Sequence, residues 1–387
     1  MKRLSLFGFA LVFAFLSITS FPAPQTAQLP AETVQKIEAV IQSEQARLKI
    51  PGLSVAIAVD NQLRYAKGFG MADLEHAVAA KAETVYRTAS IAKAMTATAV
   101  MLLVEQGKLD PDAPIQKYCP AFPEKPWPVT ARQLLGHLGG IRHYKSAEES
   151  SGTKHYDTIA ESLALFKDEP LLHEPGTKFH YTTFGYSVLG CAIEGASGMS
   201  YEDAMRANVF QPAGMSQTGV DNFRLVVPNR ARGYIRLDEQ TYAQLPDAVK
   251  RYAKVGEIYN ASLHDTSMKI PGGGLVSTAV DLVKFAIAVN TGGLVKPSTL
   301  EHMWTRQKMR DGQETNYGLG WGVGQVAGQR LVSHSGGQAG TSTLLTLLPG
   351  KGIAIAAMSN LQNISLDRLT QQIGSILLSA QTPLGSQ

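Results

Sequence analysis

Residues 90–106 read SIAKAMTATAVMLLVEQ, and the reading of this stretch decides the fold. Its only charged residues are Lys93 and Glu105. A segment apolar nearly all round is a buried helix, so a core helix is expected to open at Ser90 and to stop at Gly107. Lysine is rarely buried without a partner or a purpose. Three residues apart, Ser90 and Lys93 share a helix face, which puts the amine within reach of the hydroxyl. Desolvation disfavours the ammonium and turns such a lysine into a base near neutral pH. A serine beside that base is an activated nucleophile. Taken singly, Ser90 reads more simply as a helix cap and Lys93 as a side chain snorkelling to water.

The flanks of this helix carry strand signals. Val34, Ile37, Ile41 and Leu48 recur at helical spacing over residues 31–48, and Pro51-Gly52 ends that helix. Residues 53–59 and 63–69 read as two strands joined at Asp60-Asn61, a hairpin signal. Near the other end, Thr278-Ala279-Val280-Asp281 starts a helix with Leu282, Phe285, Ala286 and Val289 on one face. Strand-like runs follow at 331–335, 342–348 and 353–358, with a turn at 349–352 and a closing helix over 366–378. Residues 109–265 hold helical pieces and many loops, including the polar stretch 145–158. Strands at both ends around a helical middle imply an α/β (α+β) fold: one sheet built from both chain ends and flanked by helices, with an inserted, mainly helical lobe. The expected division is a sheet lobe of about 31–88 and 266–380 and a helical lobe of about 89–265, with a ligand cleft between them.

At 387 residues and 44% hydrophobic, the chain can bury a large core. Without Lys2 and Arg3 the balance is 34 basic to 32 acidic residues, and no basic stripe interleaves with aromatics, so nucleic acid is not an expected partner. Met1-Lys2-Arg3, the apolar run 4–16 and the small and proline residues after it read as a secretory signal over residues 1–27. The run is short for a membrane span, so no integral membrane segment is expected once the signal is removed; an uncleaved N-terminal anchor is the alternative. Either way a periplasmic or secreted protein is expected. Cys119 and Cys191 are the only cysteines. An oxidising compartment permits them to pair, but the apolar setting of Cys191 at 186–193 favours a buried free thiol. No Cys/His cluster has zinc-like spacing, and neither metal nor cofactor is expected. His137, His143 and the Gly272–Gly274 run read as structural residues of turns. Nothing in the chain sets its oligomeric state.

A bare Ser-x-x-Lys is a weak signal, and the chain carries a second copy, Ser151-Gly152-Thr153-Lys154, in a polar loop with no core helix behind it. The copy at Ser90 is supported by two later motifs in order: Tyr181-Thr182-Thr183 within PGTKFHYTTFGYSVLG, and His334-Ser335-Gly336 within SHSGGQAGTSTLLTLLPG. With RTASIAKAMTA, GKLDPDAPIQKYCPAFP, LLGHLGGIRHY, ESLALFKDEPLL and GGGLVSTAVDLVKF, the chain resembles the serine β-lactamase and penicillin-binding superfamily over residues 31–378, in its class C-like, D-alanyl-D-alanine carboxypeptidase-type branch. HLGGIRHY, LFKDEPL, YTTFGY and SHSGGQAG are similar to the mitochondrial serine β-lactamase-like proteins and their bacterial kin.

The resemblance implies a β-lactamase/transpeptidase-like fold and a serine hydrolase acting on peptides through an acyl-enzyme. Ser90 would attack a carbonyl, Lys93 would take or relay its proton, and Tyr181 would protonate the leaving group and later help activate water. A nearby ammonium would be needed to lower the phenol pKa from about 10. The backbone N–H groups of Ser90 and Gly337 would form the oxyanion site. Thr183, His334, Ser335, Gly336 and Gly337 would contact an extended peptide or other acyl substrate, the glycines allowing its close approach. Two departures bear on the substrate. Thr183 replaces the usual Asn, and His334 replaces the commoner Lys, so a positive charge there is not assured; both weaken the case for efficient β-lactam hydrolysis. Alone, Tyr181 reads as a core aromatic, His334 as a structural histidine and Thr183 as a backbone hydrogen-bonder. A carboxylesterase or D,D-carboxypeptidase on the same scaffold, and a penicillin-recognising binding protein without efficient turnover, are the competing readings. The absence of a G-x-S-x-G elbow disfavours an α/β-hydrolase.

Overall fold

The computed structural model describes residues 28–381 apart from Ala327; the expected leader, residues 1–27, lies outside the described residues. Helix α1 (Ala31–Leu48) buries Ile37 and Ile41 of its apolar stripe. Strands β1 (Gly52–Val59) and β2 (Gln62–Asp73) form the expected hairpin. Its turn residues Asp60 and Asn61 have φ of 53° and 55°, the paired positive values that a two-residue hairpin turn requires and that Asp and Asn tolerate. After the short strand β3 (Val78–Ala79), helix α2 (Ile91–Glu105) begins one residue after Ser90.

Helix α3 (Phe184–Ser197) and helix α4 (Ala279–Asn290) follow, the latter capped by Thr278, whose hydroxyl accepts from Asp281 N–H. The chain then forms β4 (Gly322–Val326), β5 (Gln329–Gln338), β6 (Thr341–Leu348) and β7 (Ile353–Ser359), and closes with helix α5 (Asp367–Gln381). The sheet order is β3-β2-β1-β7-β6-β5-β4, antiparallel throughout, so the β1–β7 pair joins the two chain ends.

Register sorts the side chains by size. Val55 opposite Ala357 and Ile57 opposite Ile355 belong to one apolar core, with α1 and α5. Ala56 opposite Ala356 and Ala58 opposite Ala354 belong to the other, with α2 and with Leu282, Phe285, Ala286 and Val289 of α4. Small residues on that face let α4 lie close to the sheet. A three-stranded ribbon of Tyr86–Arg87, Leu275–Ser277 and Gly219–Val220 ties the segment before Ser90 to the return of the chain, and Thr88 N–H donates to Leu275 O.

The cysteines do not remain free. Cys119 and Cys191 form a disulfide with their Cα atoms 5.3 Å apart. The apolar burial expected for Cys191 is present, but Cys119, fully buried, enters the same core and supplies the partner. The bridge fastens α3 from its middle across a separation of 72 residues. Loop-closure entropy of that size corresponds to about 4 kcal/mol. Reduction, or Cys191→Ser, is therefore expected to lower the free energy of unfolding by roughly that amount, measured by denaturant titration with and without reductant.

Candidate active site

Ser90 stands at the start of α2, yet its hydroxyl makes no capping bond. Lys93 is fully buried, which removes the snorkelling alternative. Its Nζ lies 3.0 Å from Ser90 Oγ, 3.1 Å from Thr183 Oγ1 and 2.6 Å from the carbonyl oxygen of Gly272. The carbonyl can only accept, so one N–H is committed to it, and Thr183 accepts a second. In the neutral amine the remaining position is a lone pair, available to Ser90. Burial lowers the Lys93 pKa well below the usual ammonium range, and the charge of Lys269 adds to the effect. Ala89, immediately before the serine, has φ of 47°, a strained value for a residue with a side chain.

Tyr181 precedes α3, and Lys93 Nζ sits 5.0 Å from the centre of its ring. Burial pushes the phenol pKa up, and a side-chain hydrogen bond with Ser90 opposes this only in part. Burial, and not a neighbouring ammonium, sets the direction: with the amine desolvated and neutral, a protonated phenol is the matching state. The Tyr181–Thr183 backbone is held from the segment His137–His143. Thr182 N–H donates to His137 Nδ1 at 3.2 Å, and Thr183 N–H donates to His143 Nδ1 at 3.3 Å.

Strand β5 forms the opposite wall. His334 is buried, and burial, followed by the charge of Lys93, lowers its pKa to about 3. Its Nδ1 lies 2.7 Å from the Ser335 carbonyl oxygen and must carry the proton; Nε2 then accepts from Tyr317 Oη at 2.8 Å. His334 is therefore neutral, and no cation stands where the commoner lysine would. Pairing of β5 with β4 runs from Gln329 to Ser333 and stops, leaving residues 334–338 without a strand partner on that side among the described residues. Ser335 and Gly337 are exposed there, while Gly336 is buried. A Cβ on Gly336 would lie 2.4 Å from Thr88 O and 3.0 Å from Ala89 Cβ, whereas one on Gly337 would meet open space. Gly336 thus serves the close approach of the strand to the Ser90 turn. Gly336→Ala is expected to lower kcat about 10²-fold by displacing that turn, about the cost of a 1 Å misplacement, checked by steady-state kinetics on the folded variant.

The three sequence motifs therefore converge. The second Ser-x-x-Lys does not: Lys154 is exposed, with its Nζ 4.8 Å from the Tyr156 ring. Gly272, His137 and His143, which read in the sequence as turn residues, join the site, and so does Tyr317, which no motif marks. Gly272 offers only a carbonyl, which leaves no residue-type signal, and a Cβ there would lie 2.6 Å from Thr183 Cγ2. No group of residues able to hold a metal ion occurs among the described residues.

An antiparallel sheet built from both chain ends, with a buried Ser-x-x-Lys helix against it, defines a serine hydrolase of the penicillin-recognising class. The chain belongs to the beta-lactamase family, whose model matches residues 37–374. It is 30% identical to the human mitochondrial serine beta-lactamase-like protein LACTB, the match covering 91% of this chain and 81% of that one. The octameric penicillin-binding protein homologue from Pyrococcus abyssi superposes with a TM-score of 0.74 at 28% identity, covering 89% of this chain and 77% of that one. The D-amino acid amidase from Ochrobactrum anthropi shares the fold, with a TM-score of 0.77 at 22% identity over 91% of this chain and 100% of that one. Family membership implies serine-hydrolase chemistry through an acyl-enzyme on amide or ester bonds.

Proposed function

We propose that the protein is a secreted or periplasmic serine hydrolase that cleaves a peptide bond through an acyl-enzyme on Ser90. The observation that carries this reading is the 3.0 Å approach of Ser90 Oγ to a fully buried Lys93 amine. Lys93 Nζ takes the hydroxyl proton as Oγ attacks the scissile carbonyl. The N–H groups of Ser90 and Gly337 face the developing oxyanion. Collapse breaks the C–N bond, and the leaving amine takes a proton from the Tyr181 phenol, which Lys93 restores. Water then attacks the ester with Tyr181 and Lys93 in the reverse roles.

The unpaired edge of β5 supports an extended peptide as substrate, aligned by backbone hydrogen bonds. The neutral His334 and the threonine at 183 give a β-lactam carboxylate or side-chain amide less to bind. The Cys119–Cys191 disulfide and the leader-like N-terminus support an oxidising compartment outside the cytoplasm.

The test compares wild type, Ser90→Ala and Ser151→Ala on peptide anilides, esters, D-Ala-D-Ala peptides and a chromogenic cephalosporin, with time-resolved intact mass. Turnover of the anilides with a transient adduct, lost in Ser90→Ala and kept in Ser151→Ala, is expected. Hydrolysis of the cephalosporin alone would overturn the peptide reading, and an adduct that never clears would indicate a binding protein.

The pH dependence has a definite sign. Lys93 acts only when deprotonated, so kcat/KM should fall on acidification as the amine takes a proton. Its lowered pKa places that limb well below the ordinary lysine value of about 10.4. His143, lowered to about 4, and His334, lowered to about 3, add no step between pH 6 and 8. A pH–kcat/KM profile still rising at pH 10 would contradict a neutral Lys93.

A further inference from the structure

We infer that His137 and His143 are positioning residues for the Tyr181–Thr183 segment, each gripping it through the lone pair of an unprotonated Nδ1. The inference rests on the proposed roles of Tyr181 and Thr183. His137 brackets Tyr181 from both sides. Its carbonyl accepts from His180 N–H at 2.9 Å, and its Nδ1 accepts from Thr182 N–H at 3.2 Å. Its ring lies 4.2 Å, centre to centre, from the Tyr181 ring. His143 takes the next N–H, that of Thr183, at 3.3 Å, and its ring meets Tyr181 edge-on at 6.0 Å. Between them, Thr182 Oγ1 donates to Arg142 O at 2.6 Å.

A backbone N–H only donates, so both Nδ1 atoms are acceptors and each neutral ring carries its proton on Nε2. His137 is fully buried, and its Nε2 has no hydrogen-bond partner among the described residues. It is enclosed by the rings of Tyr181, Tyr186 and Tyr317 at 4.2, 5.3 and 4.7 Å. Its backbone holds φ of 59°, a value uncommon for a residue with a side chain, and the two bonds to residues 180 and 182 are what that geometry secures. Consecutive N–H groups at 182 and 183 are thereby fixed. With them are fixed the Cα–Cβ direction of Tyr181 and the Thr183 hydroxyl that accepts from Lys93.

Asparagine places a carbonyl oxygen near the position of Nδ1, while glutamine places it near Nε2 and leucine has no acceptor. Asparagine also tolerates the left-handed conformation at 137. The experiment measures kcat and KM on the best substrate for His143→Asn, His143→Gln, His143→Leu, His137→Asn and His137→Gln, with Tyr181→Phe alongside and thermal melting of each. His143→Leu and both glutamine variants are expected to lose about 10- to 100-fold in kcat with KM little changed, as for a misplaced catalytic group. The asparagine variants should recover most of that loss. Should a leucine or glutamine variant not fold, the Asn-to-Gln comparison at the other histidine decides. Equal activity of the asparagine, glutamine and leucine variants, with Tyr181→Phe impaired, would overturn the inference. An unimpaired Tyr181→Phe would instead overturn the reading of the site on which it rests.

Discussion

Ser90→Ala should abolish the covalent adduct and lower kcat by at least about 10⁴-fold, on the scale found when a serine nucleophile is removed from a preorganised site. The size of the effect follows from the hydroxyl's place in the structure. It caps no helix end, so its removal leaves α2 intact. Of the partners of Lys93 Nζ, Gly272 O is a carbonyl and has no proton to give, and the Thr183 hydroxyl is buried, whereas Ser90 is half-buried. Stability should therefore change little while chemistry stops. Intact mass with a fluorophosphonate checks this directly: wild type gains one adduct and Ser90→Ala gains none. Equal labelling of the two proteins would place the nucleophile elsewhere.

Lys93→Arg is the second large effect, a loss of about 10³-fold or more, within the range of a general base. The substitution keeps charge and donors but not a lone pair, because a guanidinium stays protonated in proteins. If Lys93 acted only as a fixed positive charge, arginine would preserve much of the rate. If it acts as a base, arginine fails over the whole accessible pH range, and raising the pH restores nothing. The planar fork must also enter a fully buried site in which three oxygen atoms surround a compact amine. A melting curve separates that packing cost from the chemical one, and Lys93→Met, of similar length and uncharged, gives the loss without a buried charge.

Much of the fold was legible because local rules agreed with the global one. Residues 31–48 combine helical periodicity with a proline-glycine stop, and Asp60-Asn61 meets the backbone demand of its turn, so the first helix and hairpin form where periodicity places them. The strands at 342–348 and 353–358 are buried along their whole length because both their faces are covered by helices, and 353–358 reads as an unbroken apolar run. The ribbon that orients the Ser90 segment was not legible. Its strands are only two or three residues long and come from three distant parts of the chain, so no periodicity marks them.

The site divides in the same way. Ser90, Lys93 and Tyr181 announce themselves by residue type. Gly272 contributes a carbonyl and His143 a lone pair, 179 residues from Lys93 and 40 from Thr183 respectively, and turn chemistry explained both adequately. The disulfide was missed for a related reason: apolar surroundings argue for burial of a cysteine but say nothing about which side chain shares its cavity.

The place where β4 stops pairing, at Ser333, sets a length. Five residues, 334–338, remain open along the strand, which at a strand rise of about 3.4 Å per residue is roughly 17 Å. If the proposed peptide lies there, the sheet is its ruler: an extended chain would find backbone partners over at most about five residues. Beyond either end it must bend away. On the proposed reading, short extended segments would be held by what all peptides share, their backbone, while a folded chain, whose backbone groups are already taken, would gain nothing from the edge.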